Sequence, residues 1–459
     1  MQLTTKVLSI ISSCAVGLAI LVDGRASYGM FVQVPTQTRT TTRTDEQASW
    51  PQFRGPMGDG IATATDLPIE FSDTQNVVWK SAIDGTGWSS PVINEGKIWF
   101  TVAKPTGSKT EPPSSGGLEI TFESIDLLLV SFDLKDGQPK DSILLFSVTS
   151  PDAIHNLNSY ASPTPCIANG KIFCHFGTYG TAGVDCATSK VLWRNDTIKL
   201  DHQTGPGSSP VLFQDLVIFH ADGTDTQSIV ALNVKDGELA WRSQRSGQIP
   251  NHPDQKKAFC TPMLTKVAGQ EVLVSSAVDW AYVYDPKNGE ELYKVPYGKL
   301  GFSTVPRPVI KDEVAYICTG FMKSRLLAID LAATAFEKPE DRVLWTVENR
   351  VPTMPSPVIA ENLLFMVSDI GIASCIDIAD GSEVWSERLG GKFASSPLFV
   401  DGKIYLGDQA GKVFVLQPGR EFRVLATNQL DSEVMASPAA VGNAIYIRTA
   451  KSLYKISQQ

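Results

Sequence analysis

The chain has 459 residues, of which 42% are hydrophobic and 19% are charged, and its formal net charge is -9. This composition supports a large buried core and excludes a disordered chain. The acidic balance excludes a protein whose main work is to coat nucleic acid or anionic lipid, because both tasks need clustered Lys and Arg.

The N-terminus has the organisation of an export signal. Lys6 provides a positive start, residues 7–22 are almost all apolar or small, and Gly24 and Ala26 occupy the two positions that a signal peptidase reads. We therefore expect an exported protein of the periplasm or cell envelope, and we predict three segments. They are a signal peptide over 1–26, a disordered leader over 27–49 and a propeller domain over 50–459.

Two other interpretations of the N-terminus are open. A retained membrane anchor would need an apolar run of roughly 20 residues, which is longer than the one present, so we expect no transmembrane segment. Lipidation at Cys14 would leave an apolar region of only about five residues ahead of the cleavage point, below the usual length.

A repeated phrase organises the rest of the chain: a small residue and Pro precede two short apolar runs. It occurs first as SSPVINEGKIWF from Ser89 and again, for example, as SSPLFVDGKIYLG from Ser395. The marker prolines are Pro91, Pro163, Pro210, Pro262, Pro308, Pro357, Pro397 and Pro438. The first separation is 72 residues and the others lie between 40 and 52, which is typical of four-stranded propeller blades. The small residues beside these prolines suit the crowded inner end of a blade.

Each unit continues with the same signals. Asn169-Gly170 and Asp401-Gly402 predict tight turns between the first two strands, because such pairs adopt positive φ. A third run ends in an acidic residue and a turn, and a fourth carries a large aromatic residue. We expect these aromatics to fill the gap between blades rather than to stack on a ligand. They include Trp193, Trp241, Trp345 and Trp385.

The two ends of the chain complement each other. After Pro438 there is room for three strands only, whereas NVVWKSAI, residues 76–83, has the Trp of a fourth strand without the first three. Pairing this segment with the last blade would close a ring and remove an exposed edge. The sequence therefore predicts an all-β, eight-bladed propeller of four-stranded antiparallel blades.

Two segments interrupt the regular pattern. Residues 104–119 are rich in Pro, Ser and Gly and predict a flexible loop in the first blade. The stretch LAATAFEKPED, beginning at Leu331, predicts a helical turn in the fifth blade.

The cysteines beyond Cys14 lie singly, without a CxxC or an adjacent pair, which argues against a zinc site. We expect small buried side chains, although an exported protein can also form a bridge, so the pairing stays open. Around Asn169-Gly170 an ideal hairpin puts Cys166 and Cys174 on opposite faces. The six residues are Cys166, Cys174, Cys186, Cys260, Cys318 and Cys375.

The xDxxxGxxxW ending of the blades, the opening WPQFRG from Trp50 and the following NVVWK resemble the quinoprotein-like eight-bladed propellers. That family includes the pyrroloquinoline quinone (PQQ) dehydrogenases and the outer-membrane assembly protein BamB. The resemblance spans residues 50–456 and implies the fold. For a PQQ alcohol dehydrogenase it also implies a disulfide of two adjacent Cys and a calcium ion, but the sequence has no adjacent Cys pair and no DxDxDG loop.

We therefore favour a binding or scaffold protein without a cofactor over an enzyme. The alternative is a PQQ-dependent oxidoreductase of the alcohol or aldose dehydrogenase type, which would take PQQ and calcium. The chain has no GxSxG, HExxH or Walker A motif that would indicate another chemistry.

The residues ahead of each marker proline should surround one end of the central channel. Aromatic residues recur there, with His, Asn and Arg slightly earlier in the chain. The candidate ligand-binding residues are Trp88, His155, Asn158, Tyr160, His202, His252, Phe259, Phe302, Arg350 and Phe393. One interpretation is a funnel that binds an envelope protein, a peptide segment or a small ligand, in a protein that we expect to be monomeric. The other is ordinary loop residues, with the aromatics closing the core and the His solvated.

Overall fold

The structure is a computed structural model that describes residues 49–110, 119–332 and 338–459. The predicted signal peptide, Cys14 and residues 27–48 of the leader lie outside the described residues. Regular structure in the described ranges is almost entirely β, with three short 3-10 turns at Gly177–Tyr179, Pro253–Gln255 and Pro339–Arg342. None of the helical turns in this part of the chain is long and apolar enough to span a membrane.

The strands form eight sheets, each built on four antiparallel strands, and these sheets are the blades of a propeller. Seven of the blades take their four strands in chain order. Blade one contains Val92–Asn94, Lys97–Thr110, Glu119–Asp133 and Pro139–Thr149. Blade two contains Cys166–Ala168, Lys171–His175, Thr181–Asp185 and Val191–Asn195. Blade three contains Val211–Phe213, Leu216–Asp222, Gln227–Asn233 and Leu239–Gln244. Blade four contains Met263–Val267, Gln270–Ala277, Trp280–Tyr284 and Glu291–Pro296.

The second half of the chain repeats the arrangement. Blade five contains Val309–Lys311, Val314–Cys318, Leu326–Asp330 and Val343–Val347. Blade six contains Val358–Ala360, Leu363–Val367, Ile372–Asp377 and Glu383–Arg388. Blade seven contains Leu398–Val400, Lys403–Gly407, Lys412–Leu416 and Val424–Gln429, and Ile61–Ala62 pairs with its first strand in parallel. Blade eight contains Ala439–Val441, Ala444–Arg448, Ser452–Ile456 and the N-terminal strand Val77–Ala82.

The N-terminal strand closes the ring as predicted. Val77–Ala82 runs antiparallel to Ser452–Ile456, with Trp79 opposite Lys455. Trp79 is nearly buried and packs against the core that blades one, seven and eight share. The last blade thus takes its outer strand from the start of the propeller, and the pairing covers a sheet edge that would otherwise be exposed.

Local turn chemistry sets the register within the blades. Asn169 and Gly170 have φ of 50° and 70°, so the two-residue turn between the first strands of blade two has the positive φ values that were predicted. Cys166 lies opposite Phe173, and Cys174 therefore points to the other face of the sheet. All six cysteines in the described residues are buried and unpaired.

The outer-strand tryptophans wedge between neighbouring blades. The Trp193 indole donates its N–H to the Val234 carbonyl of blade three at 3.0 Å, and a Cβ on Gly237 would lie 2.3 Å from the indole ring. Only a glycine lets the backbone approach the ring this closely. The same contact joins Trp79 to Gly137, Trp241 to Gly289 and Trp345 to Gly381. The expectation that these aromatics pack between blades is confirmed.

The structure corrects two details of the sequence analysis. Lys104 and Thr106 lie within a long hairpin of blade one, opposite Asp126 and Ser124, so the described part of the 104–119 segment is strand rather than loop. Pro105 has no backbone N–H to donate. It is tolerated because pairing along one edge of this strand ends at the bridge between Thr86 and Ala103, before Pro105 is reached. The remainder of that segment, residues 111–118, lies outside the described residues.

The second correction concerns the marker proline of blade two. Thr164-Pro165, rather than Ser162-Pro163, occupies the position that Ser90-Pro91 occupies in blade one, directly before the first strand. The helical turn predicted near Leu331 is present as the 3-10 turn Pro339–Arg342 of blade five.

Residues 50–60, the channel-crossing segment, connect blades that are distant in sequence. Trp50 exchanges two backbone hydrogen bonds of 2.8 Å with Ile93 of blade one, and the Pro51 carbonyl accepts the N–H of Ile167 in blade two. The Arg307 guanidinium of blade five donates to the Phe53 carbonyl, and the Gly60 carbonyl accepts from Phe399 of blade seven. The segment therefore passes from one side of the ring to the other.

Candidate functional site

A cavity of about 880 Å³ lies where the loops leading into all eight inner strands converge. Its lining includes residues of every blade as well as Phe53 of the channel-crossing segment. A cavity of this size falls within the range of ligand-binding pockets.

A ring of hydroxyl groups lines the cavity. In seven of the eight pairs of neighbouring blades, the residue before the inner-strand proline donates its backbone N–H to a Ser or Thr hydroxyl of the next blade. That Ser or Thr itself precedes the proline of its own blade, and the distances are 2.9 to 3.1 Å. These residues form the hydroxyl ring: Ser90, Thr164, Ser209, Thr261, Ser356, Ser396 and Ser437. Blade five has Arg307 in the eighth position. The ring explains why Ser or Thr precedes these prolines, which the sequence analysis attributed to crowding alone.

Three buried arginines lie beside the hydroxyl ring. Arg54 donates to the Ser356 and Pro357 carbonyls at 3.1 and 2.6 Å, and Arg448 donates to the Ser89 carbonyl at 2.8 Å. Neither these two nor Arg307 forms an ion pair within the described ranges, and the Nε atom of each lacks a hydrogen-bond partner there. Burial lowers the pKa of Arg307 to about 10, so its guanidinium is still protonated at neutral pH.

Apolar side chains form the rim of the cavity. The exposed fractions are 73% for Met322, 59% for Ile370, 54% for Phe321 and 40% for Leu157, and all four residues line the cavity. Phe321 lies edge-on to Phe302, with ring centroids 5.9 Å apart. Large exposed apolar side chains that line one cavity are a common feature of interaction surfaces.

Six of the ten candidate residues from the sequence line the cavity: Trp88, His155, Asn158, Phe259, Phe302 and Arg350. His155 accepts the Leu157 N–H through Nδ1 at 3.1 Å. The Asn158 amide donates to the Thr204 carbonyl at 2.8 Å, so it also holds two loops together. Arg350 pairs with Glu383 at 2.8 Å.

The other four candidate residues lie elsewhere. Tyr160 is buried and donates its hydroxyl to the Asp152 carbonyl at 2.6 Å, and Phe393 is fully buried against Phe414. His202 is buried and accepts the Thr178 N–H, and burial lowers its pKa to about 4. His252 is 65% exposed on its side chain and lies 3.7 Å from Asp254. The two buried aromatics thus have packing roles, as the second interpretation of these loops expected, whereas His202 is buried rather than solvated.

The sequence analysis missed the apolar rim because it considered only the loops before the inner strands. Phe321 and Met322 lie in the turn between the second and third strands of blade five. In an up-and-down blade this turn lies at the same end of the sheet as the loop into the inner strand. The pair of exposed apolar residues in GFMKSR was the available signal.

A second polar cluster has the composition of a catalytic triad but not its setting. Ser275 Oγ lies 2.8 Å from His220 Nε2, and His220 Nδ1 lies 3.5 Å from Asp222. Arg245 donates to Asp222 at 2.6 Å and to Ser275 at 2.7 Å. Burial opposes the charged form of Arg245, but the Asp222 carboxylate outweighs it and raises the pKa of Arg245. All four side chains are buried, so a substrate cannot reach the serine, and the cluster joins blades three and four.

The metal ligands and the disulfide that the resemblance implies for a PQQ alcohol dehydrogenase are not found among the described residues. In residues 49–110, 119–332 and 338–459, no group of three or more His, Cys, Asp or Glu side chains could hold a metal ion. The cysteines within these ranges are all single and buried, so the disulfide of a PQQ alcohol dehydrogenase has no counterpart among them.

The comparisons with known proteins agree on the fold. The family model described as outer membrane protein assembly factor BamB matches residues 160–335 and 330–452. The crystal structure of BamB from Moraxella catarrhalis is similar, with a TM-score of 0.56, 13% identity, and coverage of 83% of this chain and 99% of that one. A europium-containing methanol dehydrogenase has a TM-score of 0.52 and 11% identity, with coverage of 88% and 90%. No curated protein matches by sequence.

Proposed function

The chain belongs to the family described as outer membrane protein assembly factor BamB, and on that premise we propose that it is an exported envelope protein that binds a partner protein at the cavity. The partner inserts a segment of its chain between the apolar side chains of the rim. The propeller is the scaffold and performs no chemistry of its own.

The apolar rim is the observation that carries this proposal. Met322, Ile370 and Phe321 are each more than half exposed, although the chain has ample core in which to bury such side chains. Burying apolar surface contributes about 25 cal/mol per Å², so a partner that covers these three side chains gains a large part of its binding energy there.

The backbone at Met322 supports the same interpretation. Its φ is 77°, in the left-handed region that is costly for a residue with a side chain. Such conformations concentrate at binding sites, where the surrounding structure maintains them. The bridge between Phe321 and Phe302 holds this turn at the cavity.

A site-specific crosslinking experiment tests the proposal. A photoreactive amino acid replaces Met322 in the full chain, expressed in its own cells, and the envelope fraction is irradiated. The matched control places the same group at Leu344, which is 52% exposed on the outer strand of blade five. We expect one identified envelope protein to crosslink at 322 and not at 344, and the purified pair to bind with a measurable Kd that Phe321→Ala raises about tenfold.

Equal crosslinking at both positions would contradict the proposal, as would a Kd unchanged by Phe321→Ala. Export is checked in the same cells, because the mature chain should lack residues 1–26 and fractionate with the envelope. A full-length chain in the cytoplasm would rule out the envelope function.

A further inference from the structure

The hydroxyl ring carries unused hydrogen-bond donors. Each of its seven hydroxyl oxygens accepts a backbone N–H from the preceding blade, and no ring hydroxyl donates to an acceptor in the described part of the chain. A hydroxyl group has one proton to donate, and all seven residues line the cavity although each is at most 6% exposed. The part of the cavity that the hydroxyl ring lines, its floor, therefore contains several O–H donors that the described residues leave unused.

The sign of the charge around this floor selects the ligand. Each ring hydroxyl oxygen has two lone pairs, and one of them already accepts an N–H, so at most one is left for a cation. A cation would also meet Arg54, Arg307 and Arg448, whose hydrogen-bond acceptors are carbonyl and hydroxyl oxygens rather than carboxylates. Asp59 offsets part of this positive charge from beyond ion-pair distance. In a poorly solvated site, uncompensated guanidinium charges favour an anion.

The wall of the cavity has the same bias. It carries four basic side chains, Lys257, Lys323, Arg325 and Arg350, and two acidic ones, Glu348 and Asp369. Two of these basic charges are compensated, one within the wall and one from outside it. Glu348 lies 3.6 Å from Arg325, and Arg350 pairs with Glu383. The Asp369 carboxylate accepts the N–H groups of Thr353 and Met354. Lys323 is exposed and has no ion pair among the described residues. In a chain with a net charge of -9, the wall thus adds the positive charge of Lys323 to that of the buried arginines.

We infer that the floor of the cavity is an oxyanion site, and that the segment inserted by the partner fills it with a carboxylate, from an Asp or Glu side chain or a free C-terminus. This inference rests on the proposed function for the source of the carboxylate. The donor ring itself selects an oxyanion whichever molecule carries it. A carboxylate has about four lone-pair sites, so some of the ring hydroxyls are enough to hold it through the multiple hydrogen bonds that proteins use for carboxylates.

Small probes test the floor without a partner. N-acetyl-glutamate amide supplies one carboxylate, and N-acetyl-glutamine amide is the neutral match of the same size. Inorganic phosphate is a third probe, and all three are titrated into the full propeller by ligand-observed NMR at constant ionic strength. We expect saturable binding of the glutamate probe and at least about tenfold weaker binding of the glutamine probe, which loses hydrogen bonds to a charged group.

Two substitutions of Ser396 isolate the donor. Ser396→Asp keeps an acceptor for the Ser356 N–H but replaces the hydroxyl donor with a carboxylate. This variant should bind the glutamate probe at least about tenfold more weakly. Ser396→Thr keeps the hydroxyl, as Thr164 and Thr261 do in the same ring, and should bind like the original chain. Lys323→Glu changes an exposed side chain, so we expect the variant to fold. It should bind the same probe about two- to threefold more weakly.

Equal binding of the two amide probes, or no saturation with any probe, would overturn the inference. So would unchanged binding in both Ser396→Asp and Lys323→Glu. Saturable binding of phosphate alone would overturn the assignment of a carboxylate as the bound group. Because these titrations use no partner, their failure leaves crosslinking at Met322 as a separate test of the proposed function.

Discussion

The closing segment, residues 50–82, and the loops around the cavity differ in how completely their large apolar side chains are buried. Trp50 is 1% exposed and paired with Ile93 on its backbone, and Val77–Ala82 completes blade eight. Around the cavity, by contrast, large apolar side chains are exposed, and the hydroxyl donors of the ring lack acceptors among the described residues. The buried residues of the closing segment stabilise the fold, whereas the apolar side chains and hydroxyl groups around the cavity are available to contact a ligand.

This difference follows from what each region must do. A ring of blades has two free ends, and burying the segment that joins them makes the whole fold cooperative. A binding surface must leave part of its contact energy unused until the ligand arrives. Substitutions in the two regions should therefore have opposite effects on stability and on binding.

Trp50→Ala should have the largest effect on stability. The indole lies against Gly55, where a Cβ would be 2.6 Å from the ring, and it belongs to the core of blades one, seven and eight. We expect the free energy of unfolding in urea to fall by about 3–5 kcal/mol. Trp50→Phe, which keeps most of the apolar volume, is the control and should lose less. A loss below about 1 kcal/mol for the alanine variant would show that the closing segment is not part of the cooperative core.

Asp431→Asn should have an intermediate effect that depends on pH. Burial alone would raise the pKa of the Asp431 carboxyl, but hydrogen bonds from Ser452, Thr449 and Lys80 outweigh it and lower the pKa to about 2. Lys80 belongs to the closing strand, and its Nζ lies 3.2 Å from Asp431. A carboxyl with a lowered pKa stabilises the folded state above the unfolded value of about 3.9 and loses this contribution as the pH falls through the folded value.

We therefore expect Asp431→Asn to reduce the free energy of unfolding by about 1–2 kcal/mol at neutral pH, a figure that allows for solvent screening of a partly exposed group. The difference from the unsubstituted chain should shrink between about pH 4 and pH 2. Urea titrations across this range measure it, and parallel stability curves would contradict the role of Asp431 in the closure.

Phe321→Ala should have the smallest effect on stability. The side chain is more than half exposed and touches mainly Phe302, so the free energy of unfolding should change by less than about 0.5 kcal/mol. The same variant should weaken partner binding about tenfold. A stability loss comparable to that of Trp50→Ala would mean that the rim belongs to the core, and the contrast between the two regions would then fail.

Much of the fold could be predicted because its signals are local. The spacing of the marker prolines, the Asn169-Gly170 turn and the Trp of residues 76–83 each depend on a few neighbouring residues. The position of one marker was wrong by two residues, since SPTP contains two prolines and only pairing with the neighbouring strands distinguishes Pro163 from Pro165. Residues 104–110 were predicted as a loop because of their composition, whereas in the structure they continue the hairpin of blade one.

The site was less predictable, because it is made by convergence. Four of the candidate aromatics, Trp88, Phe259, Tyr160 and Phe393, lie close to a marker proline in the chain. Trp88 and Phe259 line the cavity, whereas Tyr160 and Phe393 are buried, because the surrounding blades orient the two pairs differently. Phe321 lies far from any marker in the chain and close to the cavity in space.

By itself the sequence determined the number of blades, the four-stranded repeat and the strand that closes the ring, because turn propensity, strand periodicity and chain order act over short distances. Only the tertiary structure decided that seven hydroxyl groups from seven blades line one cavity beside buried arginines, and that apolar residues surround its opening. Each of those residues is ordinary in its own blade. Their joint electrostatic and hydrogen-bonding character arises only when segments hundreds of residues apart in the chain are brought around one axis.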